Sequence, residues 1–180
     1  MMVTDLRLYY LDQTSNESES IQASNPCLQT CTQTLFSAKK EGHLIRNIYG
    51  HCITLHSIPF KYGSIITGQG TFPPSSKILK PGIRLKVYCI QPLYTLKVQG
   101  PKMISLERPC VPYSVFLIQD KHSVPIALKE HSEQNVEIPQ DAHGFISYCP
   151  ILFMIVTAFD IKFTEDHGES FQWSLTLEEI

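Results

Sequence analysis

The chain has 180 residues, 43% of them apolar and 10% aromatic, which are the values of a globular protein and fit one domain over 1–180. The six cysteines, at 27, 31, 52, 89, 110 and 149, contain no CxxC pair. With a net charge of −2 and with Asp5 and Arg7 where an apolar leader would lie, this excludes a disulfide framework and points to free thiols in a soluble cytoplasmic protein.

In chain order, "DLRLYYLD" (Asp5 to Asp12) alternates and reads as a first strand. A polar segment without period follows at about 12–25 and reads as a mobile loop. Asn25 offers an N-cap and Pro26 a first helical residue, Leu28, Cys31, Leu35 and Ala38 recur at helical spacing, and Gly42 stops the helix. Leu44, Ile45, Ile48, Cys52 and Leu55 continue that period and predict a second helix, with Gly50 inside it.

From Ile58 onward every signal is β. "GSIITGQGTF", "KPGIRLKVYCI" and "LYTLKVQG" read as strands separated by prolines and by Gly100-Pro101. "YSVFLIQ" and "VPIAL" flank Asp120 to Ser123 as a hairpin. The most apolar stretch, Phe145 to Phe163, is broken by Pro150 and followed by Asp160 and Lys162, too short for a spanning helix of about 20 residues. It reads as a long strand, buried on both faces first and half exposed later, with Phe159, Ile161 and Phe163 on one face. With "FQWSLTLE" it forms a closing hairpin. The expected class is α+β: an N-terminal strand and two helices packed on a mainly antiparallel sheet of about six to eight strands.

Charge is distributed unevenly. Residues 43–106 hold no acid and eight cations, Arg46, Lys61, Lys77, Lys80, Arg84, Lys86, Lys97 and Lys102, whereas from Glu107 onward the net charge is −8. Either the two blocks face each other in one sheet and compensate, or they form separate surfaces that steer an anionic partner. Lys77, Lys80, Arg84, Lys86 and Lys97 are the candidate surface for an anionic partner or for self-association, Arg84 and Lys86 by strand alternation and Lys97 on an adjacent strand. Phe72, Pro73 and Pro74 form an apolar tip that is either a rigid turn or a docking loop. Tyr88 and Tyr94 are the aromatics available for stacking, too few to expect sequence-specific nucleic-acid recognition.

No residue set points to catalysis, a cofactor or a metal. Cys52 and His56 would share a helix face beside His51, but no fourth ligand is evident. Cys149 and His143 have the chemistry of a nucleophile and base, yet Cys149 sits beside Pro150 in the most apolar strand with nothing to activate it. Gly68-Gln69-Gly70 lacks the strand–turn–helix context of a nucleotide loop, and Asp120, His122 and Ser123 lie too close together for a triad.

The order of "DLRLYYLD", the helix after "SNP", "HLIRNIY" and then "KYGSIITGQG" resembles the rhabdovirus matrix proteins, the short plant cytorhabdovirus type in particular. The chain has neither a PPxY or PTAP motif nor a basic amino terminus. The resemblance implies a non-enzymatic structural protein of virion and host cytoplasm. It would self-associate and bridge nucleocapsid and envelope, with itself, the nucleocapsid and an anionic membrane surface as partners. The alternative is a β-rich binding module or a degenerate dUTPase-like domain, since "LKPGIRLKVYC" resembles the Pro-x-Gly that opens a strand in that fold, without its catalytic segments.

Overall fold

A computed structural model describes residues 6–11, 31–37, 44–54, 61–70, 74, 79–95, 97–119, 125–140, 142–164 and 170–180. Among these residues there are sixteen strands and no helix. The first half holds β1 (Arg7–Tyr10), β2 (Cys31–Ser37), β3 (Leu44–Arg46), β4 (Cys52–Thr54), β5 (Tyr62–Gly70), β6 (Arg84–Tyr88), β7 (Leu93–Tyr94) and β8 (Val98–Gln99). The second holds β9 (Lys102–Ser105), β10 (Phe116–Ile118), β11 (Ile126–Ala127), β12 (Lys129–Glu130), β13 (Asn135–Ile138), β14 (His143–Tyr148), β15 (Ile151–Thr164) and β16 (Ser170–Glu179).

The largest sheet has the order β1-β6-β15-β16-β5-β2, every neighbour antiparallel. Alternation gives it a buried inner face. Leu8, Val87 and Leu152 align across β1, β6 and β15, and Val156, Leu177 and Ser64 align across β15, β16 and β5. All six are at most 1% exposed and five of them belong to one apolar cluster, which also includes Leu85, Met154, Trp173 and Leu175. The Trp173 indole lies against Gly68 on the neighbouring strand so closely that a Cβ there would overlap it. Just past β6 the chain reaches the far edge of the sheet. Gln33 Oε1 accepts the N–H groups of Ile90 (2.7 Å) and Gln91 (3.3 Å), and Leu35 N donates to Gln91 Oε1 (2.6 Å).

Residues 93–148 fold around a second cluster, which includes Leu106, Val115, Leu117, Val136, Ile138, Ile146 and Tyr148. Its sheets are β11-β10-β14-β7, with β8 also on β14, and β12-β13-β9. The two cores meet at Cys149-Pro150, where β14 ends and β15 begins: Pro150 O accepts Cys89 N (3.0 Å) and Ile151 N donates to Pro109 O (2.7 Å). A charged clamp ties the second region to the end of β16. Arg108 Nε and Nη2 donate to the two carboxylate oxygens of Glu179 at 2.6 and 3.2 Å, and Tyr62 N donates to the same carboxylate at 2.8 Å. That hydrogen bonding raises the Arg108 guanidinium above its ordinary pKa against the opposing effect of burial.

The α+β expectation is wrong, and both helices are replaced by strands. Cys31–Ser37 is β2, an edge strand whose Cys31 and Leu35 pack against the large core. A spacing of four residues returns to the same face in a strand as well as in a helix, so Cys31 and Leu35 do not distinguish the two. The β-branched Thr32 and Thr34 between them favour the strand. The second predicted helix is the hairpin β3–β4. Asn47 O accepts Gly50 N (2.9 Å), Asn47 Oδ1 accepts Tyr49 N and His51 N (both 3.0 Å), and Gly50 takes φ +79°, so residues 47–50 turn the chain. Ile48, assigned to an apolar stripe, is 92% exposed at that turn. The loop expected at about 12–25 lies outside the described residues.

The β expectations fare better. β1, β5 and β6 lie where alternation put them, β10 pairs β11, and β15 pairs β16 as the closing hairpin. The apolar stretch is two strands, β14 and β15, and among the described residues no helix is long and apolar enough to cross a membrane. β15 is buried on both faces only over its first two residues, Ile151 and Leu152 at 3% and 1%; the outward side opens already at Phe153, which is 43% exposed.

Candidate functional site

The outer face of the large sheet carries the side chains opposite the core. On β6, Leu85 and Val87 point inward, so Arg84, Lys86 and Tyr88 point outward. The register places Arg7 beside Tyr88 and Tyr9 beside Lys86 on one flank, with Phe153 beside Lys86 and Ile155 beside Arg84 on the other. Cations and aromatic rings therefore alternate across β1, β6 and β15. The Tyr9 and Tyr88 ring centroids are 5.1 Å apart, and Lys86 Nζ stands 5.4 Å from the Tyr88 ring and 5.9 Å from the Phe153 ring. Such cation–ring contacts hold an ammonium without neutralising it.

The three ion pairs among the described residues are Arg108–Glu107, Arg108–Glu179 and His131–Glu137. None uses Arg7, Arg84 or Lys86. The two charge blocks do interleave in one sheet, because β15 and β16 from the acidic block sit between β6 and β5 from the basic block. Among the described residues interleaving has not produced compensation at this patch: the nearest outward carboxylate along the strand rows is Glu178, one strand beyond Ile155.

Further along the same face, a hollow of about 460 Å³ is lined by Thr32, Thr67, Asp160, Lys162, Gln172 and Ser174, among others. Thr32 and Thr67 hydroxyls pair at 2.8 Å, and one cation and one anion leave the hollow without net charge. Acids gather instead on the small sheet, where Glu130, Glu133 and Glu137 lie on and between β12 and β13. The His131 ring, 2.8 Å from Glu137, lowers that carboxyl below its usual range.

Of the residues singled out by sequence, Arg84 and Lys86 share the patch, and Lys80 is exposed in the turn leading into β6. Lys97 is corrected: it is exposed between β7 and β8, which pair with β14 in another sheet, so it is not on a strand adjacent to Arg84. Lys77, Phe72 and Pro73 lie outside the described residues, and Pro74 is buried rather than presented at a tip. Tyr94 is 65% exposed on β7, away from Tyr88. Sequence reading missed Arg7, Tyr9 and Phe153, although the alternation of "DLRLYYLD" already put Arg7 and Tyr9 on one side.

The remaining chemical candidates are dispersed. Cys149 is buried with its thiol donating to Ile90 O (3.5 Å), while His143 is exposed at the opposite end of β14, about 20 Å along the strand direction. Gly68, Gln69 and Gly70 are strand residues paired with β16. Cys52 opens β4, whereas His56, Asp120, His122 and Ser123 lie outside the described residues. Among the described residues no three His, Cys, Asp or Glu groups converge where a metal ion could be held. Burial pushes the Cys89 thiol up to about 12 and the Cys31 and Cys110 thiols up to about 11, the reverse of an activated nucleophile. No protein-family model matches the chain, and no curated protein matches it in sequence.

Proposed function

We propose that this protein is a non-enzymatic binding module that holds a polyanionic partner on the outer face of its large sheet. The observation that carries the reading is the alternation of Arg7, Arg84 and Lys86 with Tyr9, Tyr88 and Phe153 on the outer face, where Arg7, Arg84 and Phe153 are exposed, Tyr9, Lys86 and Tyr88 half-buried, and none of the three cations enters an ion pair among the described residues. Three cations that enter no ion pair among the described residues attract phosphate or sulfate groups, and counterion release makes such binding salt-dependent. Heparin serves as a structureless polyanion for the test. Retention that falls steeply with salt, and is lost in the Arg84→Glu, Lys86→Glu double variant with the melting temperature preserved, supports the reading. Equal retention of parent and variant overturns it.

A second reading keeps the self-associating structural role of the matrix type. The strand–helix–helix order that suggested it is absent from the described residues. The charge layout favours it independently, since the cationic patch lies on the large sheet and Glu130, Glu133 and Glu137 on the small one. A patch and its complement at different places on one chain make a head-to-tail contact between copies. In that case sedimentation shows oligomers at low salt that dissociate at high salt, and the same double variant is a monomer throughout. A parent that is monomeric at low salt removes this reading and leaves the first intact.

A further inference from the structure

Resting on the polyanion reading of this face, we infer that the partner is a single-stranded nucleic acid whose unpaired bases stack on Tyr9, Tyr88 and Phe153 while Arg7, Arg84 and Lys86 hold its phosphates. Cations alone would serve any polyanion; the rings narrow the choice. Strand alternation sets them into the outer sheet face between the cations, Phe153 exposed and Tyr9 and Tyr88 half-buried: Tyr9 stands beside Lys86 on one side and Phe153 on the other. Two strand spacings separate Tyr9 from Phe153, so the platform is about 10 Å wide. That is room for about two or three bases, the number that aromatics on the sheet faces of other RNA-binding folds stack.

Lys86 lies between two of the rings with its ammonium over the Tyr88 and Phe153 faces at 5.4 and 5.9 Å, so a stacking base displaces it toward the adjoining phosphate. Every base has a π-face, so this arrangement is tolerant of sequence. A duplex keeps its bases paired and offers the rings nothing but backbone. A membrane surface fits less well, because rings lying within a sheet face do not reach into acyl chains. The neutral hollow at Asp160 and Lys162, on the same sheet, supplies no net charge, and the Trp173 ring that lines it is only 3% exposed, which assigns the platform to β1, β6 and β15.

The experiment uses the full chain and fluorescence anisotropy of labelled oligouridylate, oligothymidylate, a duplex of equal length and an abasic strand, with heparin and anionic vesicles in parallel. Oligouridylate or oligothymidylate is expected to bind about tenfold or more tightly than the abasic strand. Tyr9→Leu and Phe153→Leu, which keep apolar bulk at these positions, are each expected to weaken single-strand binding about tenfold while heparin affinity and the melting temperature stay unchanged. Uridylate against thymidylate separates RNA from DNA. Abasic or duplex binding equal to that of the single strand, ring variants that bind like the parent, or a preference for vesicles overturns the stacking assignment while the polyanion surface survives. Binding to neither oligonucleotide nor heparin overturns both.

Discussion

The inner and outer faces of the large sheet are made by the same strands and differ in chemistry. On β6 the residues facing the core, Leu85 and Val87, are fully buried, whereas Arg84, Lys86 and Tyr88 between them form the candidate site. On β15 the inward series is Leu152, Met154 and Val156, and the outward series is Ile151, itself buried, then Phe153 and Ile155. Thr157 then stands as an extra residue where the pairing with β16 shifts between Val156 and Ala158. Because of that bulge the inward set changes from even to odd numbers, and Phe159 still packs against the core. A strand can therefore carry exposed charge on one side without loss of core on the other, and one residue of register is enough to exchange them.

The largest expected difference between the faces is a pair of neighbouring substitutions. Met154→Asp puts a carboxylate into the core, where Met154 is 0% exposed, and soluble folded protein should be lost. Ile155→Asp faces outward from a half-buried position, and its cooperative melt should survive with a cost of about 1–2 kcal/mol. Equal failure of the two variants would mean that the faces do not differ as described. The milder pair is Leu85→Ala, expected to cost about 2–5 kcal/mol in urea unfolding, against Lys86→Ala at under about 1 kcal/mol.

Glu179 tests what the inner face tolerates, since it lies in register with Met154 yet carries a charge. Its carboxylate is satisfied by Arg108 and by Tyr62 N, so Glu179→Gln should cost about 1–3 kcal/mol through the weakened clamp. An unchanged denaturation midpoint would show that the clamp does not join the two regions. The smallest effect is alkaline. The folded Cys31 and Cys89 thiols ionise near about 11 and about 12, against an ordinary value of 9.0. Their contribution is complete below pH 9.0 and is lost as pH rises through the folded values, because the unfolded chain releases these protons first. Melting temperature should decline above about pH 9, and Cys89→Ala should flatten the decline.

Much of the candidate site is legible in the amino-acid sequence alone. The alternation in "KPGIRLKVYCI" separates Arg84 and Lys86 from Leu85 and Val87, because a period of two has one meaning once prolines and glycines bound it. Lys97 is misplaced for a different reason: its sequence distance from β6 says nothing of which sheet its strand joins, and β14 takes both β7 and β8. Arg7, Tyr9 and Phe153 escape a sequence reading because they reach Lys86 and Tyr88 only through pairing between strands roughly 70 residues apart.

By itself the sequence determined the β character of the described elements after Ile58, the hairpins β10–β11 and β15–β16, and the segregation of cations from acids along the chain. These are local properties, set by side-chain branching, by turn residues and by period. The tertiary structure decided what local signals leave open. A four-residue spacing of Cys31 and Leu35 suits helix and strand alike, and the open edge of β5 selected the strand by pairing with it. Among the described residues Arg7, Arg84 and Lys86 form no ion pair, because β15 brought to β6 its apolar Phe153 and Ile155, and Glu178 stayed one strand away.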